Sequence, residues 1–296
     1  MSIEIIVMIR TKINSIQKIN LHLHSTASDG AMSPRALVKR AKQIGLDLIS
    51  ITDHDTVDAY LEHDLSDPGI KVLPGLEISA THKGHDVHIL AYSLDIHDAG
   101  LKKLTDFYHV GRHERAQKIV DKLTALGMPL ELDEVLIFAG EQELIVRPHI
   151  AQAMVARGYC ANKNEAFDKY IGNYRPAYVG KPEMSVPKVL EVIKQAGGKS
   201  VVAHPGKLYD VGYLDTFIEM GVDGIEVWHP DHSAADVQEF VQKAEKHGLL
   251  QTAGSDFHGD YDRHNLIDVV PVTEAILASA KELWEVYKCT LHRDLE

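Results

Sequence analysis

His22 and His24 lie one residue apart inside the apolar stretch "INLHLH", and "STASDG" follows, ending on Asp29 and Gly30. On a strand, side chains two residues apart share a face, so both imidazoles point one way while Leu21 and Leu23 point the other. Two imidazoles at that distance can bind one divalent ion. Taken alone, the pair equally fits two polar side chains on a half-buried strand. Other motifs add donors of the same kind. "TDHD" places Asp53 and His54 just past a run of Leu and Ile, and "LPGLE" brings Glu77 in behind a Pro-Gly turn. "DVHIL" carries His88, "AHP" carries His204, and "GSDFH" spaces Asp256 and His258 two apart. Histidine and carboxylate closing strand after strand is the donor set of a multinuclear site for borderline divalent ions. Asp53 suits either an acceptor that orients a ligand histidine or a local turn cap. His82 and His85 are expected on the turn before the strand that carries His88.

The elements that must position these residues alternate. Strands are expected over 18–24, 46–55, 70–79, 86–95, 199–205, 222–230 and 249–259. Helices are expected over 33–45, 185–198, 233–248 and 273–288. The first helix has Ser33 as N-cap, Pro34 at its first position and Gly45 beyond its end. Strand-helix alternation implies a parallel sheet. A closed barrel of seven or eight strands would gather the polar residues at its C-terminal rim, whereas an open doubly wound sheet would cluster them at one switch point. Residues 98–183 read as helical and are too long for a βα loop. They are expected to form a helical insertion capping a barrel built from 18–97 and 184–290, with 1–17 as an extension outside the fold.

Composition narrows the partners. A net charge of −12 over 296 residues argues against a broad phosphate-binding face for duplex nucleic acid. An anionic substrate then needs local positive charge, from metal ions or a few arginines. Arg147 precedes Pro148 at a helix start, a suitable place for a phosphate, and Arg175 repeats the Arg-Pro pair in "YRPAYV". Cys160 and Cys289 are the only cysteines, which argues for a reducing, cytoplasmic setting. The N-terminal "IEIIVMI" is too short to span a bilayer and lacks a signal-peptide cleavage pattern.

The motifs "HLHSTASDG", "ITDHD", "LPGLEIS", "HDVHILAY", "AHP" and "AGSDFHG" occur in that order. In this the chain resembles the PHP (polymerase and histidinol phosphatase) superfamily of metal-dependent phosphoesterases. The resemblance implies an α/β fold, a distorted seven-stranded TIM-like barrel, holding two or three divalent ions of manganese, iron or zinc. It implies that His22, His24, Glu77 and Asp256 hold one ion, that Glu77 bridges to a second completed by His88 and His204, and that Asp29, His54 and His258 hold a third. Catalysis would centre on His22, His24, Glu77, Asp256 and His258. Metal-activated hydroxide would attack a phosphate whose charge the ions offset. Relatives with the "RPHIA…PAYV" insertion resemble phosphatases that remove the 3'-phosphate of nucleoside 3',5'-bisphosphates and trim short single-stranded RNA. That makes Arg147 and Arg175 phosphate contacts, although many relatives carry Lys in place of Arg175. His229 and His232 in "WHPDHS" are candidates for substrate contact or for the acid that protonates the leaving group. The alternatives are a histidinol-phosphate phosphatase and an amidohydrolase-like metal hydrolase. The latter commonly needs a bridging carbamylated Lys, and no strand-end Lys offers itself.

Overall fold

The computed structural model describes residues 16–139, 145–259, 264–268 and 270–293. Strand β1 (Ile19–Leu23) is followed by helix α1 (Pro34–Gln43), β2 (Leu48–Ile51), the short α2 (Asp58–Leu61) and β3 (Lys71–Val72). Then come β4 (Gly75–His82), β5 (His85–Tyr92) and the long α3 (Ala99–Ala125). Helices α4 (Leu132–Ala139), α5 (Arg147–Ala156) and α6 (Lys163–Ala166) lead into a π-helical turn over Phe167–Ile171. Helix α7 (Val186–Gln195), β6 (Lys199–Val202), α8 (Tyr213–Glu219), β7 (Gly224–Trp228), α9 (Ala234–His247), β8 (Leu250–Ala253) and α10 (Glu274–Arg293) complete the order. The caps read from the sequence hold α1: Ser33 Oγ accepts from Ala36 N–H, Pro34 opens the helix, and Gly45 takes φ 84° beyond it. No helix among the described residues is long and apolar enough to cross a membrane.

The strands ladder as two sheets, β1-β2-β3 and β4-β5-β6-β7-β8. Single bridges, Leu23 to Phe257 and His54 to Glu77, join their edges, but the ladders do not close into one barrel. Eight strands replace the seven expected among these residues. The run 70–79 is two strands because Pro74, which has no N–H to give a ladder, separates β3 from β4. The expectation of a uniformly parallel sheet also fails. Lys83 and Gly84, at φ 50° and 79°, make a two-residue turn, so β5 runs antiparallel to β4 and to β6. His82 and His85 end and begin those strands rather than sitting in the turn, and they pair with each other.

The main apolar cluster lies between the sheets and α3, α7, α8, α9 and α10. A second underlies β1, β2 and α1. A third is formed by α3 to α6, the π-helical turn and the segments that join and follow them, up to Val179. Helix α3 spans two of them: Leu101, Leu104 and Tyr108 pack in the main cluster, whereas Ala116, Ile119, Val120 and Leu123 pack in the third. At the other end of the chain the fold takes in Ile16, which is buried in the main cluster, and Gln17, whose N–H donates to Asp47 Oδ2. The remainder of the expected extension, 1–15, lies outside the described residues.

Candidate metal centre

Strand β1 delivers His22 and His24 to one face, both fully buried, with ring centroids 5.2 Å apart. Glu77 on β4 stands opposite them, and Asp256 follows β8 at φ 52°. His22 Nε2 lies 3.4 Å from Glu77 Oε2 and 3.5 Å from Asp256 Oδ1. His24 Nε2 lies 3.3 and 3.2 Å from the same two atoms. Glu77 is central. Its Oε1 is 2.7 Å from His88 Nδ1 and 2.8 Å from His204 Nε2, and its Oε2 is 3.0 Å from His54 Nδ1. Asp29 faces a third set: His258 Nε2 at 3.3 Å, His24 Nδ1 at 3.8 Å and His54 Nε2 at 3.9 Å. All nine residues that the resemblance made ligands therefore converge.

Whether these residues fit metal ions is decided by their unfilled bonding capacity. His22 Nε2, both ring nitrogens of His24, His54 Nδ1 and Glu77 Oε2 are buried without a hydrogen-bond partner. A buried polar atom left unpaired costs about 1–3 kcal/mol. The five are spread over three overlapping groups of histidine and carboxylate, a donor set that suits divalent ions with neutral imidazole and carboxylate as ligands. Burial disfavours charge on His22, His24 and His258, but neighbouring carboxylates outweigh it and hold all three imidazoliums above the usual range, His258 at about 10. On His54 burial wins, and its value falls to about 3.

Beside the cluster is a cavity of about 180 Å3 walled by Asp29, His54, His88, Arg112, Arg115, Arg147 and Lys181. Arg147 opens α5 with its guanidinium over Phe167 and Tyr178, and its Nη1 donates to Asn173 Oδ1 at 2.9 Å. Arg115 donates from Nε to Val179 O, while one Nη is buried with no hydrogen-bond partner. Burial, then Arg147 and Arg112, lower Arg115 to about 10. Lys181 Nζ stands 3.2 Å from His88 Nε2. Arg112 is committed to Asp55, whose carboxylate also accepts from Ser79 N–H.

The model of the PHP domain family matches residues 20–174. The chain belongs to the PHP domain family. It is 34% identical over 275 residues to the 3',5'-nucleoside bisphosphate phosphatase of Chromobacterium violaceum, covering 87% of this chain and 94% of that one. It is 31% identical over 249 residues to the 5'-3' exoribonuclease Rnm of Escherichia coli, covering 81% and 84%. A solved structure from Bifidobacterium adolescentis, titled as a metal-dependent phosphoesterase, superposes with a TM-score of 0.82 at 31% identity, over 92% of this chain and 97% of that one. This PHP chain is a metal-dependent hydrolase of phosphoester bonds.

The PHP centre also draws on residues that sequence reasoning missed or misplaced. Glu226 on β7 holds His22 Nδ1 at 2.9 Å through one oxygen and accepts from His204 N–H through the other. Its only signal was a lone carboxylate inside the apolar run "GIEVW". Burial opposes its charge, yet His22 keeps Glu226 ionised, at about 2. Asp53, one candidate for orienting a histidine, instead binds the loop after β1: Ser25 N–H, Ser25 Oγ and Ser28 Oγ donate to it. Lys207 and His264 were not singled out; both bind Asp256 Oδ2, at 3.3 Å. His229 joins them at 3.2 Å. Its Nδ1 accepts from Asp231 N–H, so Nε2 carries the proton and donates to Asp256. His229 thus braces Asp256. His232 uses Nε2 to accept from Gly206 N–H and Nδ1 against Val227 O, so both nitrogens serve the main chain. Arg175 is exposed, and Lys181 of the same segment lines the cationic cavity beside the PHP centre.

Proposed function

We propose that this hydrolase removes the 3'-phosphate from nucleoside 3',5'-bisphosphates and acts also on short single-stranded oligoribonucleotides. The observation that carries the reading is the cavity in which Arg115, Arg147 and Lys181 gather beside His54, His88 and Asp29. A substrate with one phosphate has no use for three further cations next to the cluster, whereas a bisphosphate does. The names of the relatives point the same way. His22, His24, Glu77 and Asp256 would hold one divalent ion. Glu77 would bridge to a second held by His88 and His204, and Asp29, His54 and His258 would hold a third. Ions of the manganese, iron or zinc type would supply Lewis acidity to a water and to the phosphate oxygens.

The chain's own residues do the rest. Glu226 fixes the His22 ring, so that Nε2 faces Glu77 and Asp256. Lys207, His229 and His264 saturate Asp256 Oδ2 and leave Oδ1 turned to His22 and His24. Arg147 and Arg115 take the phosphate that is not cleaved, and Lys181 lies between it and His88. We read the two bridged sheets as the distorted barrel of 18–97 and 184–290, with 98–183 as its helical cover, working in the cytoplasm. The test is turnover with manganese of adenosine 3',5'-bisphosphate against histidinol phosphate. The bisphosphate is expected to be the better substrate; histidinol phosphate turning over 100-fold faster would overturn the assignment.

A further inference from the structure

A second cavity, of about 280 Å3, opens on the other side of Asp29. It shares Asp29 and Pro148 with the cationic cavity, so the two clefts meet across the group of His24, Asp29, His54 and His258. Their chemistry differs. The first is lined by four cations. Apart from Asp29 and His258, which belong to the metal group, the second presents the ring of Phe138, which is 36% exposed on α4, the Gln152 amide, His149 and the cation Lys163. His149 is buried and its Nδ1 accepts from Val146 N–H, so Nε2 keeps a proton as a neutral donor. An aromatic face, two neutral hydrogen-bonding groups and one positive charge match a base, a ribose and one phosphate. They do not match a second bare phosphate. Together the clefts reach the ~300–1,000 Å3 of small-ligand sites.

We propose that the second cavity holds the nucleotide that follows the scissile phosphate in a short single strand, with Phe138 stacking its base and Lys163 binding its phosphate. The 5'-terminal phosphate then sits in the cationic cavity, and the strand crosses the metal centre at Asp29. Stacking requires an unpaired base, which restricts the site to single strands, and it tolerates any base because each has a π-face. This rests on the phosphoesterase reading above and extends it to how a chain longer than one nucleotide is held.

The experiment compares kcat/KM for adenosine 3',5'-bisphosphate and for 5'-phosphorylated triadenylate, with manganese, in the wild type, Phe138→Ala and Lys163→Ala. Each substitution is expected to lower the ratio of trinucleotide to bisphosphate efficiency about tenfold, chiefly through KM for the trinucleotide. An unchanged ratio in both variants, with both substrates affected equally or not at all, overturns the second-nucleotide site while leaving the phosphatase reading standing. A wild type that hydrolyses neither substrate overturns both. A wild type that hydrolyses the bisphosphate alone overturns only the second-nucleotide site.

Discussion

At the scale of single residues, the centre depends on carboxylates that are spoken for on one side and open on the other. Asp256 Oδ2 has Lys207, His229 and His264 around it, and Oδ1 alone faces His22 and His24. Glu226 does the complementary task of fixing a ring: with Nδ1 of His22 bound, the open Nε2 can point only inward. Partners of this kind typically change metal affinity by about 10–100-fold. Glu226→Gln is therefore expected to weaken manganese binding by about that factor in a calorimetric titration, with the fold unchanged by circular dichroism. Unaltered affinity would mean that the His22 ring is held by packing alone. Arg147 is a different case, because the proposed function gives it the uncleaved phosphate, and its own contacts are with Asn173, Phe167 and Tyr178 rather than with the cluster. Arg147→Ala should raise KM for a 3',5'-bisphosphate about 10-fold or more, as for a lost charge-assisted bidentate contact, and should leave a 3'-monophosphate nearly unaffected. Equal losses on both would remove Arg147 from the second-phosphate role.

At the scale of elements, what was legible followed from local rules. The cap and proline of α1, the i, i+2 pairing of His22 with His24, and the histidines closing apolar runs all depend on neighbours in sequence. The failures needed either one turn read correctly or residues far apart brought together. Pro74 divides what looked like a single strand, and the Lys83-Gly84 turn reverses β5, which turns His88 toward Glu77 rather than extending a parallel series. Glu226 is hidden because a carboxylate within an apolar strand has no periodic signal, and its partner His22 is remote in sequence. Lys181, which lines the cationic cavity, has no local cue as strong as the Arg-Pro pair at Arg175, being a lysine in a loop. The close passage of β1 past the end of β8 was equally invisible. A Cβ on Gly254 would lie 2.1 Å from His22 Cβ and 2.7 Å from His22 N, so no side chain fits unless one element moves. Gly254→Ala should cost about 1–3 kcal/mol of stability, read as a lower denaturant midpoint. It should also weaken manganese binding, because the displaced residue is His22. A variant with wild-type midpoint and affinity would show that β1 can yield freely there.

At the scale of the molecule, the metal centre is also a structural joint. Its residues come from β1, β4 and β5 and from the segments that follow β1, β2, β6 and β8, so ions bound there tie both sheets together. Without ions the same atoms are a source of instability: buried nitrogens and a carboxylate oxygen go unpaired, in a chain of net charge −12. The metal-free centre partly compensates by holding protons. Burial works against charge on His22, His24 and His258, but carboxylates raise all three, His258 to about 10. A group whose folded-state value is raised contributes stability that is fully present below the unfolded value, about 6.5 for histidine, and is lost as pH rises through the folded value. The metal-free protein should therefore lose stability as pH climbs from about 6.5 toward 10. Ions replace those protons, so their affinity should rise over the same interval. Saturation at 100 times Kd adds about 2.7 kcal/mol. Thermal melts with manganese and with chelator should accordingly diverge, and the gap should widen from pH 6.5 to 8.5. Asp256→Ala should abolish most of the gap, because it removes the open oxygen shared by His22 and His24. If melts with manganese and with chelator coincide across that range, the converging histidines are satisfied without ions and the centre is not a metal site.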